Sequence, residues 1–156
     1  MKLGFLFLVL FLCACTAQTP RFSATGTEAG CKPQYLTDGD AATYWTCGAQ
    51  VEKPAIMLTY KKPVPVDEVR VSEFEREPSR VAAYLLEGCS GGVWMKLGYV
   101  SGEEGHPVSI AFSGVMVTGL KLTVLLKDNA RSPKISALEV LCSPAGEAQA
   151  RTYDYN

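Results

Sequence analysis

Beyond residue 50 the chain reads as one strand after another, and no window carries the 3.6-residue period of an amphipathic helix. Short apolar or alternating runs stand at 54–60, 64–74, 80–87, 93–100, 108–112, 117–126 and 135–141, separated by Gly, Pro, Asp and Ser. Within 64–74, Val69 and Val71 share one face while Glu68, Arg70 and Ser72 take the other, the alternation of a strand with one buried side. Seven or eight strands at such spacing predict an all-β fold, an antiparallel β-sandwich or jelly roll. No repeat period and no internal linker divides the chain.

The N-terminus has a different character. Lys2 precedes an apolar run over 3–12, then the small-residue stretch Cys13-Ala14-Cys15-Thr16-Ala17, the layout of a secretory leader that is too short to span a bilayer. Two cleavage readings compete. Leu12-Cys13-Ala14-Cys15 resembles a lipobox, with Cys15 as the lipidated first residue, whereas Cys15-Thr16-Ala17 suits an ordinary signal peptidase. The expected organisation is a leader at 1–17, one domain at 18–142, and a tail at 143–156 that is poor in aliphatic residues and expected to fray.

Losing Lys2 takes the basic count from 15 to 14 against 16 acidic residues, a formal charge near −2. That balance speaks against nucleic acid as a partner, and against an anionic membrane attracted by net charge. Six cysteines, less Cys13 and Cys15, leave Cys31, Cys47, Cys89 and Cys142. An even number in an exported chain implies disulfides, with three pairings open. Zinc is disfavoured, because no two of these are spaced C-x₂₋₄-C and the single histidine, His106, has no partner nearby.

The densest chemistry lies at 36–45, Leu-Thr-Asp-Gly-Asp-Ala-Ala-Thr-Tyr-Trp. Asp38, Asp40 and Thr43 stand at i, i+2 and i+5, and Gly39 is free to take a positive φ. Calcium takes six to eight oxygen ligands from such mixed carboxylates, hydroxyls and carbonyls. The bland alternative is an Asx turn, which uses the same side chains without a metal.

That Asp-Gly-Asp-x-x-Thr-x-Trp loop is followed by Val66-Asp-Glu-Val69-Arg-Val71, Trp94-Met-Lys-Leu97 and the closing Ile135-Ser-Ala-Leu-Glu139-Val140. Together they resemble the discoidin, or coagulation-factor type C, family of galactose-binding-like domains. Ser72-Glu-Phe-Glu-Arg-Glu-Pro-Ser-Arg80-Val81, Tyr84-Leu-Leu-Glu87 and Gly92-Val-Trp94 are similar, more closely, to the C-terminal module of α-L-fucosidases. The likeness runs over about 36–141; single motifs are weak, and their order carries the match.

The resemblance implies an eight-stranded jelly roll that binds sugars and often carries a structural Ca²⁺. Carried over residue by residue, the ion's ligands are the Tyr35 carbonyl, Asp38, Asp40, Thr43 and Glu139. Termini of this fold lie close together, which pairs Cys31 with Cys142 and leaves Cys47 with Cys89. Trp45 and Trp94 are expected in the core, and Arg80 is expected to fix the sheet edge or a carboxylate such as Glu73. Sugar hydroxyls are met by polar loop side chains at one end of the sandwich. The loops at 75–78, 102–106 and 127–131 offer Arg76, His106, Asn129 and Arg131, with Tyr99 or Phe74 as an apolar platform. No His-x-Arg signature of fucose lectins is present, so fucose specificity does not follow.

Three function classes remain. A secreted, periplasmic or membrane-anchored carbohydrate-binding module, lectin-like, with a glycan or glycoprotein partner is the leading expectation. A protein-binding adhesion domain is the alternative, since one fold supports both. A glycosidase is set aside, because the resemblance is to an accessory module and a catalytic barrel needs about 250 residues.

Overall fold

A computed structural model describes residues 18–102, 107–128 and 130–142. The leader with Cys15, the tail, His106 and Asn129 therefore lie outside the described residues. Among the described residues six strands form: β1 (Arg21–Ala24), β2 (Ala55–Glu73), β3 (Val81–Ser90), β4 (Val93–Ser101), β5 (Val108–Leu126) and β6 (Ile135–Leu141), with a 3-10 helix at Pro33–Thr37. All pairings are antiparallel, in the order β1-β2-β5-β3-β4, with β6 on the second half of β2.

Two pairs of the expected runs fuse. β2 joins 54–60 to 64–74, and β5 joins 108–112 to 117–126, giving two strands of 19 residues that pair along their length. Pro63, Pro65 and Gly114 mark corners rather than turns. The β2–β5 register shifts between Thr59 and Val64 and again between Val66 and Glu68. Bulges of this kind bend a strand and tolerate proline inside a ladder. Ile56, Leu58 and Tyr60 before the corner, and Val66, Val69 and Val71 after it, belong to one buried cluster. The sheet therefore folds over itself at 60–67 and encloses the core between its halves.

Chain connections then sort the molecule into two ends. β2 finishes at Glu73, and only the seven residues 74–80 separate it from β3 at Val81; Gly102 donates to the Ala82 carbonyl and Lys127 to that of Arg80. Trp45 pairs with Ile135 at the start of β6 through two backbone bonds of 2.8 and 3.0 Å. These contacts gather the loops 36–45, 74–80 and 127–134 at one end, and the 60–67 corner makes the other.

Trp45 is fully buried, as expected, and its indole N–H donates to Thr27 Oγ1 at 3.4 Å. Trp94 is not a core residue. It is 43% exposed on the edge strand β4, in register with Cys89, which pairs with Gly119. An added Cβ at Gly119 would stand 3.2 Å from Trp94 Cη2, so the ring lies outward across the sheet, where a glycine leaves room.

Neither expected pairing forms: Cys31, Cys47 and Cys89 are free thiols, while Cys142 is disulfide-bonded but to none of these three. Cys47 is buried in the core, close to where a Cβ on Gly26 would stand, whereas Cys89 lies on the sheet's outer face beside Trp94. Cys31 donates to Glu28, which in turn bonds Thr46 next to Trp45, while Cys142 follows the far end of β6. A bridge needs Cα atoms within about 7 Å, and a seven-residue strand such as β6 runs roughly 20 Å.

Candidate functional site

The loop end is organised by a buried carboxylate. Glu73, 4% exposed, closes β2 and accepts from Ser79 Oγ at 2.6 Å and from the Arg80 N–H at 2.8 Å. Those bonds hold the 74–80 loop over the end of the sheet. Arg80 thus serves Glu73 through its backbone, as one expectation had it, while its guanidinium pairs with Glu77 and reaches the Ser132 carbonyl. Lys134 also bonds Glu77, and that bond above all holds the Glu77 carboxyl below its ordinary range.

Aromatic rings stand beside these charges. Tyr44 and Phe74 pack with centroids 4.8 Å apart at 49°, Lys134 Nζ lies 5.0 Å from the Tyr44 centroid, and the Arg76 guanidinium carbon lies 5.9 Å from that of Phe74. Cations over ring faces are attracted by the ring quadrupole. Here they flank an amphipathic platform that loop sequence alone does not announce. Tyr44 carries one local signal: it directly precedes Trp45, which is fully buried and bridges Ile135, while Tyr44 itself is only half-buried.

Arg76 joins this platform to a cleft of about 550 Å³. One wall is the 36–45 loop, with Thr37, Gly39 and Asp40; the others are Ser72, Glu75 and Arg76 and the β6 residues Ser136, Ala137 and Glu139. Hydroxyls, carboxylates and a guanidinium on apolar walls suit a polyhydroxylated ligand.

The aspartate loop takes the expected curl. Gly39 has φ +75°. Asp38 Oδ1 accepts from the Asp40 N–H at 2.9 Å, Asp40 Oδ1 accepts from the Ala42 N–H at 2.8 Å, and the Thr43 hydroxyl donates to Asp38 Oδ2 at 2.8 Å. The Tyr35 carbonyl accepts from the Asp38 N–H. Asp38, Asp40 and Thr43 therefore converge, with donor chemistry suited to a hard cation. Glu139 shares the cleft with Asp40, but no group of three or more His, Cys, Asp or Glu side chains that could hold a metal forms among the described residues. As it stands, the loop is closed by its own Asx turns.

The other candidates separate. Arg76 lines the cleft and Phe74 the platform, while Arg131 is exposed in the 127–134 loop without lining the cleft. Tyr99 lies elsewhere, 57% exposed on β4, with Lys96 Nζ 5.4 Å from its ring centroid. Ser72, Ser136, Tyr44 and Lys134 were not singled out in the sequence; they arrive by strand register and loop packing.

No protein-family model and no curated protein matches the sequence. Solved structures do. A GH29 fucosidase from Ruminococcus gnavus, in complex with fucose, aligns with a TM-score of 0.70 at 22% identity, over 80% of this chain and 25% of that one. The chain has the galactose-binding-like jelly-roll fold. A family 32 carbohydrate-binding module from C. perfringens NanJ, in complex with galactose, aligns at 0.67 and 16% identity over 78% of this chain and 92% of its own. A chitosan-binding module of a chitosanase/glucanase from Paenibacillus sp. IK-5 aligns at 0.67 and 16%, over 79% and 95%. The chain thus matches most of each isolated module and spans a quarter of the fucosidase.

Proposed function

We propose that this chain is a non-catalytic carbohydrate-binding module that holds its glycan in the cleft between the 36–45 and 74–80 loops. One observation carries the reading: Arg76 stands at once over the Phe74 ring and on the wall of the 550 Å³ cleft, between an aromatic platform and a polar groove. A pyranose offers an apolar face to the first and hydroxyls to the second. The solved neighbours, several of them carbohydrate-binding modules of nearly this length, support it. Within the same proposal, residues 1–17 direct export and a lipid on Cys15 attaches the chain to a membrane, while calcium occupies the Asp38, Asp40 and Thr43 loop, with Glu139 as a further ligand.

A glycan array probed with the full chain tests the central claim. At least one glycan class should bind, and Arg76→Ala should weaken that binding tenfold or more, about 1.4 kcal/mol, without moving the melting temperature. An array with no hit, or a hit indifferent to Arg76, overturns it.

A further inference from the structure

The strand order β1-β2-β5-β3-β4 leaves β4 as an edge, and among the described residues it pairs with β3 alone. An edge strand presents a row of unpaired N–H and C=O groups, which proteins blunt with proline, charge, bulges or a short strand. β4 is nine residues long and holds no proline. Its one charge is Lys96, and its bulge comes only after that residue, at Leu97.

The hairpin says which backbone groups are free. Gly91 and Gly92 have φ 57° and 82°, both positive as a two-residue type I′ turn requires. Such a turn closes on a hydrogen-bonded pair, here Ser90 with Val93, and bonded and non-bonded pairs alternate from there. By that alternation Gly88 with Met95 is bonded again, whereas Cys89 with Trp94 and Glu87 with Lys96 are not. The N–H and C=O groups of Trp94 and Lys96 therefore point away from β3.

Side chains here are open on both faces of the sheet. Trp94 and Lys96 share the outer face with Cys89 and Glu87, while Val93 and Met95 take the opposite one. Val93 is 64% exposed, Trp94 43% and Met95 41%. Apolar side chains open on both faces of one edge are what a further strand would cover.

The residues themselves select that strand. In antiparallel pairing about a two-fold axis through Met95, Trp94 falls opposite Lys96 of the second copy, and Lys96 opposite its Trp94. Both pairs bring together outward-pointing backbone groups, which can exchange their N–H···O bonds. On the outer face each lysine then meets an indole, and a cation over an aromatic ring is attracted to it. Lys96 already keeps such company, its Nζ 5.4 Å from the Tyr99 ring centroid. On the other face Met95 lies against Met95. Moving the axis to Lys96 would set two lysines directly opposite, which destabilises a strand pair. Moving it to Trp94 would leave Lys96 facing Gly92, outside the strand.

We propose that β4 is a self-pairing edge: two copies of the chain join antiparallel through residues 93–96, with Met95 on the two-fold axis and one sheet continuing across the interface. Because antiparallel strands reverse direction, the loop ends of the two copies point opposite ways. On the glycan-binding reading, which the pairing itself does not need, the dimer bridges two glycan chains rather than gripping one.

Sedimentation equilibrium of the full chain tests the association, across about 1 μM to 1 mM because a single strand pair is a small interface. A dimer should form, and Met95→Lys, which sets like charges face to face, should raise its dissociation constant tenfold or more without moving the melting temperature of the monomer. Cross-linking reads the register. Non-bonded antiparallel partners have Cα atoms about 4.5 Å apart, within disulfide reach, so Met95→Cys should oxidise to a covalent dimer. Tyr99→Cys, at a position 57% exposed, should give no more cross-link than the parent chain with its free Cys31 and Cys89. A chain that stays monomeric overturns the proposal, including the case in which another part of the chain occupies the edge. A dimer indifferent to Met95→Lys, or one that Tyr99→Cys cross-links as well as Met95→Cys, joins elsewhere or in another register and overturns it too.

Discussion

The Thr43 hydroxyl donates to Asp38 Oδ2 at 2.8 Å and lies 3.0 Å from the Asp40 carbonyl, so one side chain ties together the two aspartates of the 36–45 loop. Three oxygens facing one another are stabilised here by a proton. A divalent cation would stabilise them more strongly once the hydroxyl turns its hydrogen away. Millimolar calcium should therefore raise the melting temperature of the chelator-treated chain by mass action, and Asp38→Ala should abolish the response. Without calcium, Asp38→Ala should cost only about 1 kcal/mol, because the loop is exposed. A well-folded sample whose melting temperature ignores calcium refutes the ion and leaves the Asx-turn reading.

The two tryptophans should behave oppositely. Trp45→Ala removes a fully buried indole and should cost about 3–5 kcal/mol in transfer and cavity terms. Trp94→Ala removes a ring lying on the outer surface and should cost about 1 kcal/mol or less. Urea unfolding of both variants decides this; equal losses would return Trp94 to the core.

Alkaline pH should destabilise the domain through its buried phenols. Burial pushes Tyr60 up to about 12 from an ordinary 10.0, and burial together with the charge of Glu73 raises Tyr84 as well. Between those values the unfolded chain releases a proton that the native chain keeps, so the unfolded state binds fewer protons and stability falls as pH rises. The contribution is complete below about pH 10 and is lost towards about pH 12, at roughly 1.4 kcal/mol per pH unit for each such group. Tyr60→Phe should flatten part of that slope in melts taken across the window; an unchanged slope would mean that Tyr60 titrates normally.

Thiol chemistry checks the cysteines. Burial first, and the nearby charge of Glu28 second, raise the Cys47 thiol above its ordinary range. Under native conditions iodoacetamide should label Cys31 and Cys89 faster than Cys47, by roughly tenfold or more. Peptide mapping without reductant that found Cys31 joined to Cys142, or Cys47 to Cys89, would contradict the structure.

Local sequence carried the class of this fold, because period-two patterning is a property of each strand alone. Val69 and Val71 face the core and Arg70 the outside, as their alternation required. The aspartate loop was equally legible, since Gly39 and the Asx turns act within a few residues. What neighbouring residues could not decide was which runs join. Proline and glycine at 60–67 and near 114 look like ends of strands, and only long-range pairing between β2 and β5 makes them bends in one ladder. The same holds for Trp94, whose side chain faces outward because register places it over Gly119, and for the cysteines, whose separation is a three-dimensional fact. The candidate site divides along the same line. Arg76 and Asp40 stood out in sequence, but that they share a cleft with Ser136 and Glu139 depended on β6 pairing with β2, a contact between segments some 60 residues apart that no local pattern encodes.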